Sequence, residues 1–147
     1  MSLSQSTIDT VKATIPILKE HGLEITSVMY DVLFEKYPET KELFSGAPGE
    51  QPKILAGAIA AYAMNIDNLG ALTEAVGRMA SAHVRTNVKA EHYPMVGDAL
   101  LTAMKDVLGD AATPDIIEAW KEAYFFLAEI LIEKENTLYT RREATMA

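Results

Sequence analysis

The chain contains no cysteine. Disulfides, thiolate metal sites and thiol nucleophiles are therefore excluded. No apolar run reaches membrane-spanning length, and the opening MSLSQSTID lacks the basic and apolar segments of a signal peptide. A cytoplasmic protein without membrane insertion is expected. Basic residues are scarce: Lys plus Arg number 13 against 21 acids, a formal charge of −8. That balance argues against nucleic acid and anionic membrane surfaces as partners. The period-two alternation of a β-strand is missing, as are internal repeats and low-complexity segments. So are a glycine-rich phosphate loop and a His-Glu-x-x-His pair.

What is present is helical patterning on 147 residues, 49% of them apolar, enough for one domain with a real core. Glycine and proline divide the chain. A first helix is predicted from about Ser4 to Glu20, with Ile8, Val11, Ile15 and Leu18 as its buried stripe. Pro16 should kink or split it, and Gly22 reads as its stop. A second runs from about Leu23 to Lys36, with Ile25, Met29 and Val32 inward and Tyr30, Leu33 and Phe34 alongside. Pro38 opens a short turn, Glu39 to Phe44, and Ser45-Gly46-Ala47-Pro48-Gly49 reads as a loop. Gln51-Pro52 starts a helix to about Ile66, striped by Leu55, Ala58, Ile59, Tyr62 and Ile66. Asp67-Asn68-Leu69-Gly70 breaks it. A helix from about Tyr93 to Leu108 ends at Gly109, and Thr113-Pro114 caps a last long helix to about Thr140. Residues 141–147 are expected to fray. The reading is all-α, with about six long helices and one or two short ones.

The stretch Ala71–Val96 is the most informative. Leu72, Val76, Met79 and His83 follow at steps of four, three and four, so one helix face carries three apolar residues and then an imidazole. His83 is either a core histidine bonded to a backbone carbonyl or a metal ligand whose other nitrogen is held by a partner. Glu135 is the second irregularity. It interrupts the stripe Ile117, Trp120, Tyr124, Leu127, Leu131, Leu138, where an acid is rarely left unpaired. Either that end of the helix is exposed, or the carboxylate accepts from a buried donor such as the Tyr93 hydroxyl or an N–H of His83. Tyr30 is a core tyrosine or a pocket donor. Gln51 caps a helix or joins Tyr30 over a pocket lined by Leu55 and Phe44. His21 is expected to favour a helix C-terminus, and His92 to be exposed. A lone histidine cannot build a zinc site without carboxylates, but it suffices for haem, whose porphyrin supplies the other four nitrogens.

Several segments in order carry a specific resemblance: VKATIPILKEHG over Val11–Gly22, Gln51-Pro52-Lys53, Ile66-Asp67-Asn68-Leu69, His92-Tyr93-Pro94, and VLGDAAT over Val107–Thr113. Together they make the chain resemble bacterial single-domain globins of the flavohaemoglobin lineage over nearly its whole length. The resemblance implies a globin fold around haem b, with His83 as the proximal iron ligand. It places Tyr93 and Glu135 as that histidine's hydrogen-bond partners, and Tyr30 and Gln51 as the polar residues of the opposite, distal side. Phe44, Gln51, Leu55, His83, Val88, Tyr93 and Val96 then line the cofactor. The lineage binds dioxygen at a five-coordinate iron and, given electrons, converts nitric oxide to nitrate. That implies dioxygen and nitric oxide as ligands and a separate reductase, and suggests a homodimer. Oxygen storage or delivery without turnover, and haem-based sensing, are the rival activities. Two departures stand out. Ala82 occupies a position where relatives often have lysine, and the loop Ser45–Glu50 is short. No linker towards a reductase is visible, so a stand-alone globin is expected rather than an excised domain.

Overall fold

Local chemistry sets the first helix boundaries. The Ser4 hydroxyl accepts from the Thr7 N–H at 3.2 Å, capping α1, Gln5–Ala13. Thr14 follows, and its hydroxyl donates to the Val11 carbonyl at 2.6 Å while accepting from the Trp120 indole at 3.0 Å. Pro16 then sits in the first turn of α2, Ile15–Lys36, where its missing N–H breaks no helical bond. The proline thus splits the N-terminal helix. In the computed structural model, residues 3–44 and 49–146 are described; Ser45-Gly46-Ala47-Pro48, most of the expected loop, lies outside them.

Gly22 does not stop a helix. α2 runs straight through it, and a Cβ there would stand 3.6 Å from the Cβ of Ala56. That is ordinary van der Waals contact, so Gly22 lies where α2 crosses α3, Gln51–Met64, and the Thr26 hydroxyl ties this crossing by donating to the Pro52 carbonyl at 2.7 Å. One expectation falls with it: His21 lies inside a helix, near Glu20 and Glu24, not at a C-terminus. Ile25 and Met29 are buried, Val32 packs partly buried against the core, and Leu33 beside it is fully buried. Short 3-10 turns at Pro38–Phe44 and Leu69–Leu72 lead to α3 and to α4, Thr73–Arg85. α5 spans His92–Leu108 and ends at Gly109, whose φ of +55° only glycine adopts freely.

The last helix, α6, covers Pro114–Met146, and the expected frayed tail is helical up to Met146. Its final turns are held: Tyr139 and Arg142 bond back to the last turn of α4 and the segment after it. Ala147 lies outside the described residues.

Two apolar clusters organise the interior. The larger joins α1, α2, α3, α5 and α6 through Val11, Ile25, Met29, Leu33, Tyr62, Leu100, Met104 and Trp120. Each such side chain contributes about 1.5–3 kcal/mol on burial. The smaller joins α4, α5 and α6 through Val76, Ala80, Tyr93, Ala128 and Leu131. α3 is thereby mounted on α2, and α4 on α6; among the described residues these two helices lack comparable packing against each other. The stripe of α3 shows the consequence. Tyr62, near its end, and Ile66, just beyond it, are buried, but Leu55 and Ile59, nearer the start of the helix, are only partly covered. Among the described residues no helix is long and apolar enough to cross a membrane.

Candidate functional site

α4 delivers His83 to its last turns, where the chain reverses. Asn87, in the left-handed region at φ +65°, closes the helix, and its N–H donates to the Val84 carbonyl at 3.2 Å. The Val88 N–H donates to the His83 carbonyl at 2.9 Å. His92 is half-buried, not exposed, and its Nδ1 accepts from the Lys89 N–H at 2.9 Å. That contact brings the chain into α5 with Tyr93 in the first turn.

Three elements meet at the imidazole. His83 Nδ1 lies 2.9 Å from Glu135 Oε2 and 3.0 Å from the Tyr93 hydroxyl. The Tyr93 hydroxyl donates to that same Oε2 at 2.7 Å. Glu135 is 2% exposed, so it sits inside the protein and not on an open helix end. A carboxylate only accepts, so Nδ1 must carry the hydrogen it shares with Glu135. In the neutral ring this leaves Nε2 with a free lone pair. Burial, and then Glu135, push the Tyr93 hydroxyl well above its ordinary pKa of 10.0, so it stays a donor. The Tyr124 hydroxyl donates to the Tyr93 carbonyl at 2.7 Å. That reach depends on Gly97, where any Cβ would come within 2.8 Å of the Tyr124 ring.

A second group gathers on α2 and the turn after it. Tyr30 is 8% exposed and packs edge-on to Phe44, ring centroids 5.1 Å apart, with Phe34 5.8 Å away. Burial raises the Tyr30 hydroxyl above 10.0, and a hydrogen bond with the Gln51 side chain opposes the rise. Tyr30, Phe44 and Gln51 are thus neighbours across three elements. Leu55 lies one turn beyond Gln51 on α3. Val88 and Val96 are partly buried, Val88 against the smaller cluster and Val96 against the larger.

Four contributors were not read from the sequence: Asn87, Tyr124, Tyr139 and Arg142. Asn87 had a readable signal, a polar residue able to take positive φ just after a helix. Tyr139 had one too, since it lies four residues after Glu135 and shares its face.

The residues suit haem by their own chemistry. Among the described residues no three His, Asp or Glu side chains group to hold a bare metal ion, so a group bringing its own ligands is what a single imidazole can serve. His83 is 30% exposed in its side chain, with Nε2 uncommitted. Apolar side chains on α3, α4 and the segment after it are only partly covered: Leu55, Ile59, Met79 and Val88.

Comparisons with known proteins agree with this geometry. The chain is 54% identical to an uncharacterized globin-like protein of Aquifex aeolicus, covering 95% of this chain and 99% of that one. Among solved structures, an engineered carbene transferase from Rhodothermus marinus, described as a candidate nitric oxide dioxygenase, is 45% identical with a TM-score of 0.93, covering 97% of this chain and 99% of that one. A flavohemoglobin from Malassezia yamatoensis, with bound FAD and heme, is 33% identical with a TM-score of 0.85, covering 95% of this chain and 38% of that one. The chain spans about a third of the length of the bacterial flavohemoproteins it resembles. The globin family profile matches residues 27–131, and with α4 carrying an imidazole held from α5 and α6, the chain belongs to the globin family.

Proposed function

We propose that this globin holds haem b through His83, binds dioxygen and other diatomic ligands, and, supplied with electrons by a separate reductase, converts nitric oxide to nitrate. The observation that carries the reading is the commitment of His83 Nδ1 to Glu135 and Tyr93, which leaves Nε2 as a ligand. Its flavohemoprotein relatives, and the structural neighbour described as a candidate nitric oxide dioxygenase, support the same reading.

When bound, haem supplies an iron that takes a diatomic ligand and exchanges electrons. The chain does the rest. Glu135 and Tyr93 fix the tautomer and the ring angle of His83, and the carboxylate makes the imidazole more electron-donating. Phe44, Leu55, Val88 and Val96 supply apolar cover that excludes water. The Tyr30 hydroxyl, whose pKa burial raises further above neutral pH, and the Gln51 amide supply donors for a ligand that gathers negative charge. The reaction balances as one nitric oxide, one dioxygen and one electron giving one nitrate. An electron-rich imidazole together with polar donors favours turnover over simple storage.

The test is nitric oxide consumption by the haem-loaded chain with a reductase and a nicotinamide donor. Sustained, dioxygen-dependent loss with one nitrate per nitric oxide is expected. A single stoichiometric event followed by arrest, despite continued reduction, would leave oxygen delivery or sensing as the activity.

A further inference from the structure

Tyr139 lies one turn beyond Glu135 on the same face of α6. Its hydroxyl donates to the Val88 carbonyl at 2.6 Å. The N–H of that same residue donates to the His83 carbonyl at 2.9 Å. The peptide units around Val88 thus connect α6 to the backbone of the histidine. Neighbouring contacts close the arrangement. Arg142 Nη1 donates to the Val84 carbonyl at 3.3 Å and to Asn87 Oδ1 at 3.4 Å. The Lys89 ammonium stands 3.8 Å from the centroid of the Tyr139 ring, and the Arg142 guanidinium 4.9 Å from it.

We propose that Tyr139 is a positioning residue for His83, acting through Val88. α6 grips the histidine twice: at the ring through Glu135, and at the backbone through Tyr139 and Val88. The two grips differ in what they restrain. A bond at Nδ1 fixes one edge of the ring but lets it pivot if the Cα moves. A bond to the main chain holds the Cα, so the two together fix the direction in which Nε2 points. The left-handed Asn87 makes the second grip possible, because it turns Val88 back over the end of α4. The inference rests on reading His83 as the axial ligand.

The test is Tyr139→Phe in the haem-loaded full chain. This variant keeps the ring, and with it the contact to Lys89, and removes only the hydroxyl. Amide hydrogen exchange at Val88 and in the last turn of α4 should quicken about five- to tenfold, while the core of α2 keeps its protection. The iron–histidine stretch should shift or broaden. Tyr139→Leu, which also removes the ring, should quicken exchange at the same amides further. Unchanged exchange at Val88 with an unchanged stretch overturns the proposal. Uniform acceleration over all helices overturns it too, since Tyr139 would then only add stability. If the wild type shows no iron–histidine band, the haem reading fails separately, and local exchange at Val88 still decides whether Tyr139 holds the end of α4.

Discussion

Glu135 offers the sharpest handle on the site, because one of its oxygens serves two donors. Oε2 lies 2.9 Å from His83 Nδ1 and accepts from the Tyr93 hydroxyl at 2.7 Å. In Glu135→Gln the amide oxygen can take that place, so both bonds survive without the carboxylate. A hydrogen bond to a charged group is worth about 1.5–3 kcal/mol and a neutral one about 1 kcal/mol, so two weakened bonds should cost about 1–4 kcal/mol. Glu135→Ala leaves both donors without an acceptor, at about 1–3 kcal/mol each, and opens a cavity in the smaller cluster. It should therefore be the less stable variant in denaturant unfolding. A double-mutant cycle of Glu135→Gln with Tyr93→Phe should show coupling of about 1–2 kcal/mol, because the two side chains share a bond. With haem bound, loss of the carboxylate should raise the reduction potential, since the anion favours ferric over ferrous iron. If roughly 1 kcal/mol of the bond is specific to the ferric state, the rise is about 40 mV for one electron. Additive single-variant effects together with a static or falling potential would refute the view that these residues act as a unit on the imidazole.

Other expectations follow from the same contacts. Tyr30→Phe should speed dioxygen dissociation about ten- to a hundredfold, the loss of roughly 1.5–3 kcal/mol, and change carbon monoxide release much less; equal effects would reduce Tyr30 to a spacer. Gly97→Ala should destabilise by about 1–3 kcal/mol in chemical denaturation, because the new Cβ meets the Tyr124 ring at 2.8 Å while that ring's hydroxyl is held on the Tyr93 carbonyl. Burial raises the pKa of Tyr62, Tyr93 and Tyr124 above the ordinary 10.0. The unfolded chain then loses these protons first, so their contribution to stability is complete below pH 10.0 and lost as pH climbs above it. Tyrosinate absorbance should accordingly show part of the tyrosines ionising only together with alkaline unfolding.

The fold was legible where one residue decides one local event. Pro16 and Gly109 are such cases: a missing N–H or a positive φ admits few alternatives. Gly22 is the opposite case. Nothing near it in sequence distinguishes a helix stop from a helix crossing, because Ala56, the residue it faces, is on another helix. The end of α6 was misread for the same reason. Its sequence is polar, and it is tied by bonds to the last turn of α4 and the segment after it. Within the site, His83 and Glu135 were visible as polar interruptions of apolar stripes, since a stripe predicts burial and burial demands a partner. That both would share Tyr93 was one option among several until α4, α5 and α6 were placed together. Tyr30, Phe44 and Gln51 sit on three separate elements, and no periodicity within one element can join them.

The central claim is that His83 Nε2 is the ligand for haem iron, and absorbance tests it most directly. Purified chain supplied with haem should give an intense Soret band and, once reduced, the spectrum of a five-coordinate histidine-bound iron. His83→Ala should lose most of that signal and regain part of it when imidazole is added. A wild-type chain with no Soret band, or a His83→Ala variant whose five-coordinate histidine spectrum is undiminished, would contradict the claim.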